Sequence, residues 1–419
     1  MRRSRRLTGS AYLLLGATCF LVLGGLLMIY SASSVSDYVK LGDSAYHVKK
    51  QLVSAVIGVV GLLLLSRWDF RAKRTGFDPR RPEVLAWGLW GASLVGLIAV
   101  QFAGVGTWGA TRWIDVGPIS VQPSEYAKLG CLLAASVLTV RWHRGELEDK
   151  QFLFRLLAAT APVVILVMMQ PDMGTTVSIV LAVFLLLWLG GAGGRWLGVA
   201  GVGGLSLAAV MVWVAGYRME RITAFLDPWA DPTDSGYQII QSLYAFGSGG
   251  LFGVGLGLSR QKFLYLPAAH TDFIFAVIGE ELGLVGTLAV VTAFLLFAYA
   301  GVRISLECKD SFGRLLAGGL TAMIVAQALM NMAAVTGLMP ITGIPLPLVS
   351  AGGSSLTFTL GCIGLILAVS RYGGSSRVRL VRPTATRGSE RASADERWRD
   401  GGSRVPRADS GRTPTRRGA

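Results

Sequence analysis

Leu266-Pro-Ala-Ala-His-Thr-Asp-Phe-Ile-Phe275 is the stretch on which the reading of the fold turns. It closes a long segment rich in charge and glycine, and it runs straight into apolar sequence that carries Glu280-Glu281. A carboxylate at the mouth of a membrane span is expensive to keep dry, so Asp272 is a functional-site candidate by placement alone.

Outward from that stretch, most of the chain consists of apolar runs near 20 residues long. Of its 419 residues 52% are hydrophobic, and the mean hydropathy is +0.53. These runs predict an all-α polytopic membrane protein, not a soluble domain and not a β-barrel of short alternating strands. The first run, Ala11–Tyr30, lacks a small-residue cleavage site and is followed by many others, so it reads as a span and not as a signal peptide. Ten transmembrane helices are predicted, at 11–31, 48–66, 84–103, 122–140, 153–169, 173–190, 195–215, 272–302, 313–337 and 348–370. Gln170-Pro171-Asp172 reads as a tight turn between two of them. The alternative there, one kinked helix, would invert everything downstream.

Loop charge orients the spans. With the N-terminus inside, Arg2–Arg6, Arg67–Arg81, Arg141–Lys150, Gly190–Arg195, Arg303–Arg314 and the C-terminal tail all face the cytoplasm, and nearly all are basic. The opposite segments, 32–47, 104–121, 216–271 and 338–347, are poorer in Lys and Arg. This positive-inside pattern holds only for ten spans, and it sets Asp272 outside. The organisation expected is a basic N-terminus (1–10), a membrane domain (11–372) and an Arg-rich disordered tail (373–419). Segment 216–271 forms a long structured extracellular loop between spans seven and eight. The net charge of +15 is concentrated in the tail, where the last 49 residues hold 13 arginines against five acids. That composition suits a solvated cytoplasmic tail near anionic lipid better than a nucleic-acid site.

Cys19, Cys131, Cys308 and Cys362 form no zinc or disulfide pattern, and His47, His143 and His270 sit in separate loops. The 216–271 segment is too long for a plain connection, and its aromatics argue against disorder. Within it, Tyr237–Phe246 reads as an amphipathic segment lying along the outer membrane face.

Several polar groups stand out. Thr271 is placed to cap the helix that Asp272 opens, and the helix terminus would lower the Asp272 carboxyl pKa. Decoration of that terminus is the plainer reading of Asp272. Glu280-Glu281 lie deeper and read as a structural polar anchor. Gln122-Pro123-Ser124-Glu125 and Lys128 open span four, with Glu125 and Lys128 on one face, as a polar cavity lining. Gln327 and Asn331 read as helix–helix glue. Ser350-Ala-Gly-Gly-Ser-Ser355 is either a turn or a broken helix allowing close backbone approach. Gly247-Ser-Gly-Gly250 has no Lys-Ser/Thr after it, so it is a hinged loop and not a P-loop.

Ten motifs taken in order carry a resemblance. They are Gly109-Ala-Thr-Arg-Trp-Ile114, Gln122-Pro-Ser-Glu125 with Lys128, Gln170-Pro-Asp172 with Gly174-Thr175, Arg221-Ile-Thr-Ala-Phe-Leu-Asp-Pro-Trp229, Ser235-Gly-Tyr-Gln238, Gln241-Ser242, Gly247-Ser-Gly-Gly-Leu-Phe-Gly253, His270-Thr-Asp-Phe-Ile-Phe275, Glu280-Glu-Leu-Gly283 and Pro345-Leu-Pro-Leu-Val-Ser350 with Gly352-Gly-Ser-Ser355. Together they resemble the SEDS family (shape, elongation, division and sporulation), most closely its FtsW/SpoVE branch, over residues 11–372. Two positions depart from the family pattern: Ala268, where Glu is frequent, and Ala351, where Tyr is usual.

The resemblance implies a peptidoglycan glycosyltransferase that polymerises lipid II into β-1,4 glycan at the outer face of the bacterial cytoplasmic membrane. It implies a class B penicillin-binding protein and other division or sporulation membrane proteins as partners, and a place at the septum. The family's essential aspartate falls on Asp272, and its cavity positions on Arg112, Glu125 and Lys128. Asp272 is expected to take the proton of the acceptor hydroxyl, or to hold a divalent cation (Mg or Mn); no organic cofactor is expected. Arg112, Lys128, Arg221 and Lys262 are diphosphate candidates by charge and placement. Gln122, Gln238, His270, Ser350, Gly352 and Gly353 complete the expected substrate-binding set. A lipid II flippase and a non-catalytic scaffold are the rival readings.

Overall fold

In the computed structural model the chain is described over residues 7–69, 82–107, 110–116, 119–214, 216–263 and 265–373. Expectations that fall on the first six residues, on most of Arg67–Arg81, on Trp108 and Gly109, and on the tail from 374 onward lie outside the described residues.

Twelve α-helices follow in order among them: α1 (Gly9–Leu41), α2 (Tyr46–Leu65), α3 (Pro82–Ala103), α4 (Pro123–His143), α5 (Asp149–Met169), α6 (Met173–Leu189), α7 (Gly194–Val214), α8 (Gly216–Leu226), α9 (Tyr237–Gly249), α10 (Ile274–Glu307), α11 (Ser311–Val335) and α12 (Gly353–Gly373). Seven of these, α1, α2, α3, α5, α10, α11 and α12, are long and apolar enough to cross a membrane. The protein is therefore a multi-pass helical membrane protein. Of the remaining helices read as spans, α6 is only 17 residues long and α4 carries Glu125 and Lys128 inside it.

Four boundaries differ from expectation, beginning with the far ends of α1 (Leu41, not 31) and α10 (Glu307, not 302). At 1.5 Å per residue, the 33 residues of α1 and the 34 of α10 run to about 50 Å each, well beyond a ~30 Å core. The helix after the long loop begins at Ile274, not 272, and the last begins at Gly353, not 348. The chain is also not purely helical. β1 (Val105–Thr107), β2 (Ala110–Val116) and β3 (Ile119–Val121) form a small antiparallel sheet in the order β1-β2-β3. The run Thr-Arg-Trp-Ile-Asp-Val in β2 is rich in the β-branched and aromatic residues that strands favour.

α11 and α12 form the centre of the bundle. In their most apolar stretches 78% and 83% of residues are buried, against 22% in α3. α12 packs along α2, where a Cβ on Gly364 would meet the Leu62 backbone at 2.7 Å. The turn read at Gln170-Pro171-Asp172 is present: α5 ends at Met169, and Asp172 caps α6 by accepting from the Thr175 amide at 3.0 Å.

α10 is interrupted at Gly283, whose φ of 65° and ψ of −159° are open to glycine. The segment after α9 fills the break. The Leu284 and Val285 amides donate to the carbonyls of Gly250 and Leu251, and the Val254 and Gly255 amides to those of Glu280 and Glu281. Non-helical backbone inside a span is tolerable only when its polar groups are satisfied in this way.

Candidate functional site

Asp272 sits in the turn just before α10, half-buried, at a small pocket that it lines with Phe273, Asn331, Thr342, Gly343 and Ile344. The turn is held by its own backbone. Three successive carbonyls each accept a hydrogen bond from a different group: His270 from the Ala351 amide (2.9 Å), Thr271 from Ser350 Oγ (2.6 Å) and Asp272 from Asn331 Nδ2 (2.8 Å). Asn331 also donates to the Ile344 carbonyl at 2.8 Å, tying the opposite wall of the pocket to the same amide. Thr271 does not cap α10. Its hydroxyl donates to the Ala268 carbonyl, and Phe273 stands at the N-cap without a side-chain bond.

The charges around Asp272 come from three separate elements. Arg221 of α8 donates to the Ile341 carbonyl at 3.0 Å. A Cβ on Gly343 would stand 3.8 Å from both Arg221 Nη1 and Asp272 Oδ2, so the cation and the anion flank that glycine. Arg112 of β2 donates to the carbonyls of Gln170 (3.2 Å) and Pro171 (2.5 Å). Asp172 holds Thr175 and accepts from Gln122 Nε2 at 3.3 Å.

The expected lowering of the Asp272 carboxyl is reversed. Burial pushes its pKa up to about 6, against the opposing pull of Arg221 and then Arg112, and with Asp172 adding to the rise. The carboxylate is thus ionised at neutral pH, yet more basic than an ordinary aspartate.

Glu125 and Lys128 are buried as a pair at 2.8 Å, with side-chain exposures of 4% and 1%. Lys128 Nζ donates also to Gln327 Oε1 (2.9 Å) and stands over the Phe358 ring. Gln327 Nε2 reaches the Pro345 carbonyl at 3.3 Å. The pair, almost fully buried, therefore ties α4 through Gln327 to the 344–345 wall of the pocket.

Lys262 is likewise engaged. It is buried, 3.5 Å from Glu281, and donates to the Gly257 carbonyl. Glu281 accepts Ser31 Oγ across to α1, and Glu280 accepts Ser259 Oγ and the Arg260 amide. Glu280-Glu281 anchors the 257–262 turn, and Lys262 belongs to that anchor and not to the Asp272 pocket.

The remaining expected residues divide. Ser350 is at the site through Thr271. The Gly352 amide is bound by Gln51 Oε1 at 3.1 Å, and a Cβ on Gly353 would lie 2.5 Å from Ser54 Oγ, so these glycines serve α2–α12 contact. Gln238 lies half-buried on α9, whose Ser242 binds the Val335 carbonyl at 2.6 Å. His270 is half-buried and its ring lies against that of His47, tilted at 48° with centroids 4.5 Å apart. Its pKa falls to about 4, chiefly by burial, with the neighbouring His47 adding to the fall. Asn331, Gln51 and Asp172 are the site groups that the sequence reading did not place here. Asn331 read there as helix–helix glue and Asp172 as part of a turn between spans, while Gln51 gave no signal beyond a polar side chain in an apolar run.

Among the described residues no three His, Cys, Asp or Glu side chains come together as a metal site. A fully protein-caged cation does not fit. An ion that keeps several waters and takes one carboxylate plus substrate phosphates does fit Asp272.

A family profile described as "Cell cycle protein", covering FtsW, RodA and SpoVE, matches residues 12–374. Stage V sporulation protein E of Bacillus subtilis (strain 168) is 40% identical over 368 residues, which is 87% of this chain and 98% of that one. "Probable peptidoglycan glycosyltransferase FtsW" of Trichlorobacter lovleyi is 39% identical over 382 residues, covering 88% and 95%. Among solved structures, the rod shape determining protein RodA of Thermus thermophilus aligns with a TM-score of 0.62 at 30% identity, covering 86% and 96% of the two chains. A chain from a structure described as "Structural coordination of polymerization and crosslinking by a peptidoglycan synthase complex" aligns at 0.68 and 31% identity, covering 87% and 97%. With its profile matched across nearly the whole described chain, this protein belongs to the FtsW/RodA/SpoVE family.

Proposed function

We propose that this protein is a peptidoglycan glycosyltransferase that polymerises lipid II, with Asp272 as its general base. The carrying observation is the half-buried Asp272 carboxylate, raised to about 6 at a pocket mouth flanked by Arg221 and Arg112. Asp272 takes the proton of the acceptor GlcNAc 4-hydroxyl as that oxygen attacks C1 of the donor MurNAc. The C1–O bond to the diphosphate breaks, and undecaprenyl diphosphate leaves. A diphosphate already leaves well, so one base and nearby cations suffice where a hydrolase would need two carboxylates. Arg221 and Arg112 are the cations placed for the diphosphate, each with its guanidinium partly committed to backbone carbonyls that fix its direction. A bound divalent cation would be held by Asp272 and phosphate oxygens and would neutralise diphosphate charge.

Ten spans, with both termini cytoplasmic, set this pocket at the outer face of the bacterial cytoplasmic membrane, and α9 lies along that face. The partner is a class B penicillin-binding protein that cross-links the strands, at the septum or in sporulation. A flippase would need polar groups facing a path through both leaflets. The deep charges here, Glu125–Lys128 and Glu281–Lys262, are instead closed on each other. The test is glycan-chain formation from purified lipid II by the purified chain, alone and with its partner. Polymer is expected from the native chain and none from Asp272→Asn; native-like polymer from that variant would end the assignment.

A further inference from the structure

Asp37, near the C-terminal end of α1, is a buried carboxylate in the serine-rich last third of that helix. It accepts from Ser33 Oγ (2.9 Å) and from the His47 amide (3.2 Å), and it stands 2.6 Å from His47 Nδ1. A carboxylate with two other donors is an acceptor only, so the His47 proton sits on Nδ1 and the imidazole is fixed in direction. The ring so fixed is the one that packs at a tilt against His270, two residues before Asp272.

One turn further along α2, on the same face, Gln51 grips the other half of the junction. Its Nε2 donates to the Ser350 carbonyl and its Oε1 accepts the Gly352 amide, both at 3.1 Å. Ser350 and Ala351 are the residues that bind the carbonyls of Thr271 and His270. The α2 face thus touches both strands of one junction: the 350–352 turn through Gln51, and the 270–272 turn through His47.

We propose that Asp37 and His47 are positioning residues for the proposed reaction, acting together through the His270 ring to fix the turn that presents Asp272. The other ties on that turn grasp its backbone from α11 and from the 350–351 segment, and His47 alone is shown holding a side chain of it from the α1–α2 side.

The chain contains three histidines, which makes the idea readable without activity. The full chain, labelled at histidine with 15N and 13C and placed in lipid nanodiscs, should show His47 protonated on Nδ1. Asp37→Asn should move the His47 and His270 signals and leave His143 unchanged, and His47→Phe should move His270 alone of the remaining two. A His47 ring without a proton on Nδ1, or a His270 signal indifferent to both changes, would overturn the proposal even if the chain polymerised nothing.

The kinetic arm rests on the polymerase reading. His47→Ala should lower kcat by about tenfold with KM within about twofold, because a misplacement near 1 Å is enough to cost that much. His47→Ala combined with His270→Ala should be no slower than the slower single variant. Multiplying losses, or a KM effect without a kcat effect, would refute action through His270. His47→Phe, which keeps an aromatic ring and drops the Asp37 bond, carries the same readings should His47→Ala fail to fold. A native chain that polymerises nothing, but shows the expected histidine signals, would overturn the polymerase reading and leave the positioning device standing.

Discussion

Replacing Asp272 by Asn keeps the side chain's shape and removes its capacity to take a proton, so stability and rate should move in opposite directions. An unfolded-chain aspartate has a pKa near 3.8, and burial at the pocket raises Asp272 to about 6. A carboxyl whose folded value is the higher one favours the folded state fully below about pH 4. That contribution is lost as pH rises through about 6. Two pKa units correspond to roughly 3 kcal/mol at pH 7, trimmed to about 2 kcal/mol by the partial exposure of the group. Asp272→Asn should therefore raise the Tm at pH 7 and flatten its dependence between pH 4 and 6. Over the same range the native rate should climb. About nine-tenths of a carboxyl with that pKa is ionised at pH 7 and about one-tenth at pH 5, which predicts a roughly tenfold fall in kcat/KM for acceptor between them. Loss of the base should cost about 10²–10⁴ in rate and remove this limb of the profile. The assay is lipid II polymerisation followed across pH, with thermal unfolding of the same samples. A native rate unchanged from pH 7 to pH 5 would refute the raised carboxyl. An Asn variant that is inactive but less heat-stable than the native chain would show that Asp272 is a structural support and not a stored, costly charge.

Lys128→Met leaves Glu125 as a buried anion without its cation, and should cost about 3–5 kcal/mol; Glu125→Leu together with Lys128→Met should cost less than either change alone, measured as Tm in detergent. Gly283→Ala should abolish the folded monodisperse species on size exclusion, since its Cβ would lie 2.4 Å from the Gly253 amide nitrogen at a φ of +65°. A chelator should lower polymerisation reversibly, with Mg or Mn restoring it, and should leave Tm unchanged, because no protein cage of three ligands exists among the described residues.

The helices were legible because hydrocarbon thickness imposes run length, and a run of apolar residues can be read without knowing what it packs against. What was not legible follows from the same cause. Hydropathy reports where a helix is dry and is silent on where it stops, so α1 runs to Leu41 and not 31, and α10 to Glu307 and not 302. It also misses a short sheet in a loop, because the strand-favouring run of β2 spans only seven residues and leaves no mark in a hydropathy profile tuned to spans. The sign of the Asp272 shift failed for a different reason. The expectation treated residue 272 as part of a helix terminus, whereas α10 begins two residues later and the carboxyl meets burial before it meets the helix field. Lys262 was grouped with the diphosphate cations because charge and outer placement are visible in sequence, and the Glu281 it pairs with, on a different element, is not.

Polar side chains inside the spans show how this site is assembled. Gln327 and Asn331, one turn apart on α11, have the spacing of helix–helix glue, and in a generic bundle each would bind a neighbouring helix. Here Gln327 does both, its Oε1 accepting from Lys128 of α4 and its Nε2 donating to the Pro345 carbonyl, while Asn331 binds the carbonyls of Ile344 and Asp272 in irregular segments. Gln51 does the same to Ser350 and Gly352 from α2. An irregular turn at the edge of a membrane leaves carbonyls and amides that water satisfies only in part, and each long amide side chain satisfies one or two of them. The consequence is positional. Rigid helices α2 and α11 grip the 270–272, 344–345 and 350–352 segments by their main-chain atoms, leaving the Asp272 carboxylate as the group of that turn aimed into the pocket. Precision of this kind cannot be read from the loop itself, because the residues that supply it are single amides within apolar stretches far away in sequence.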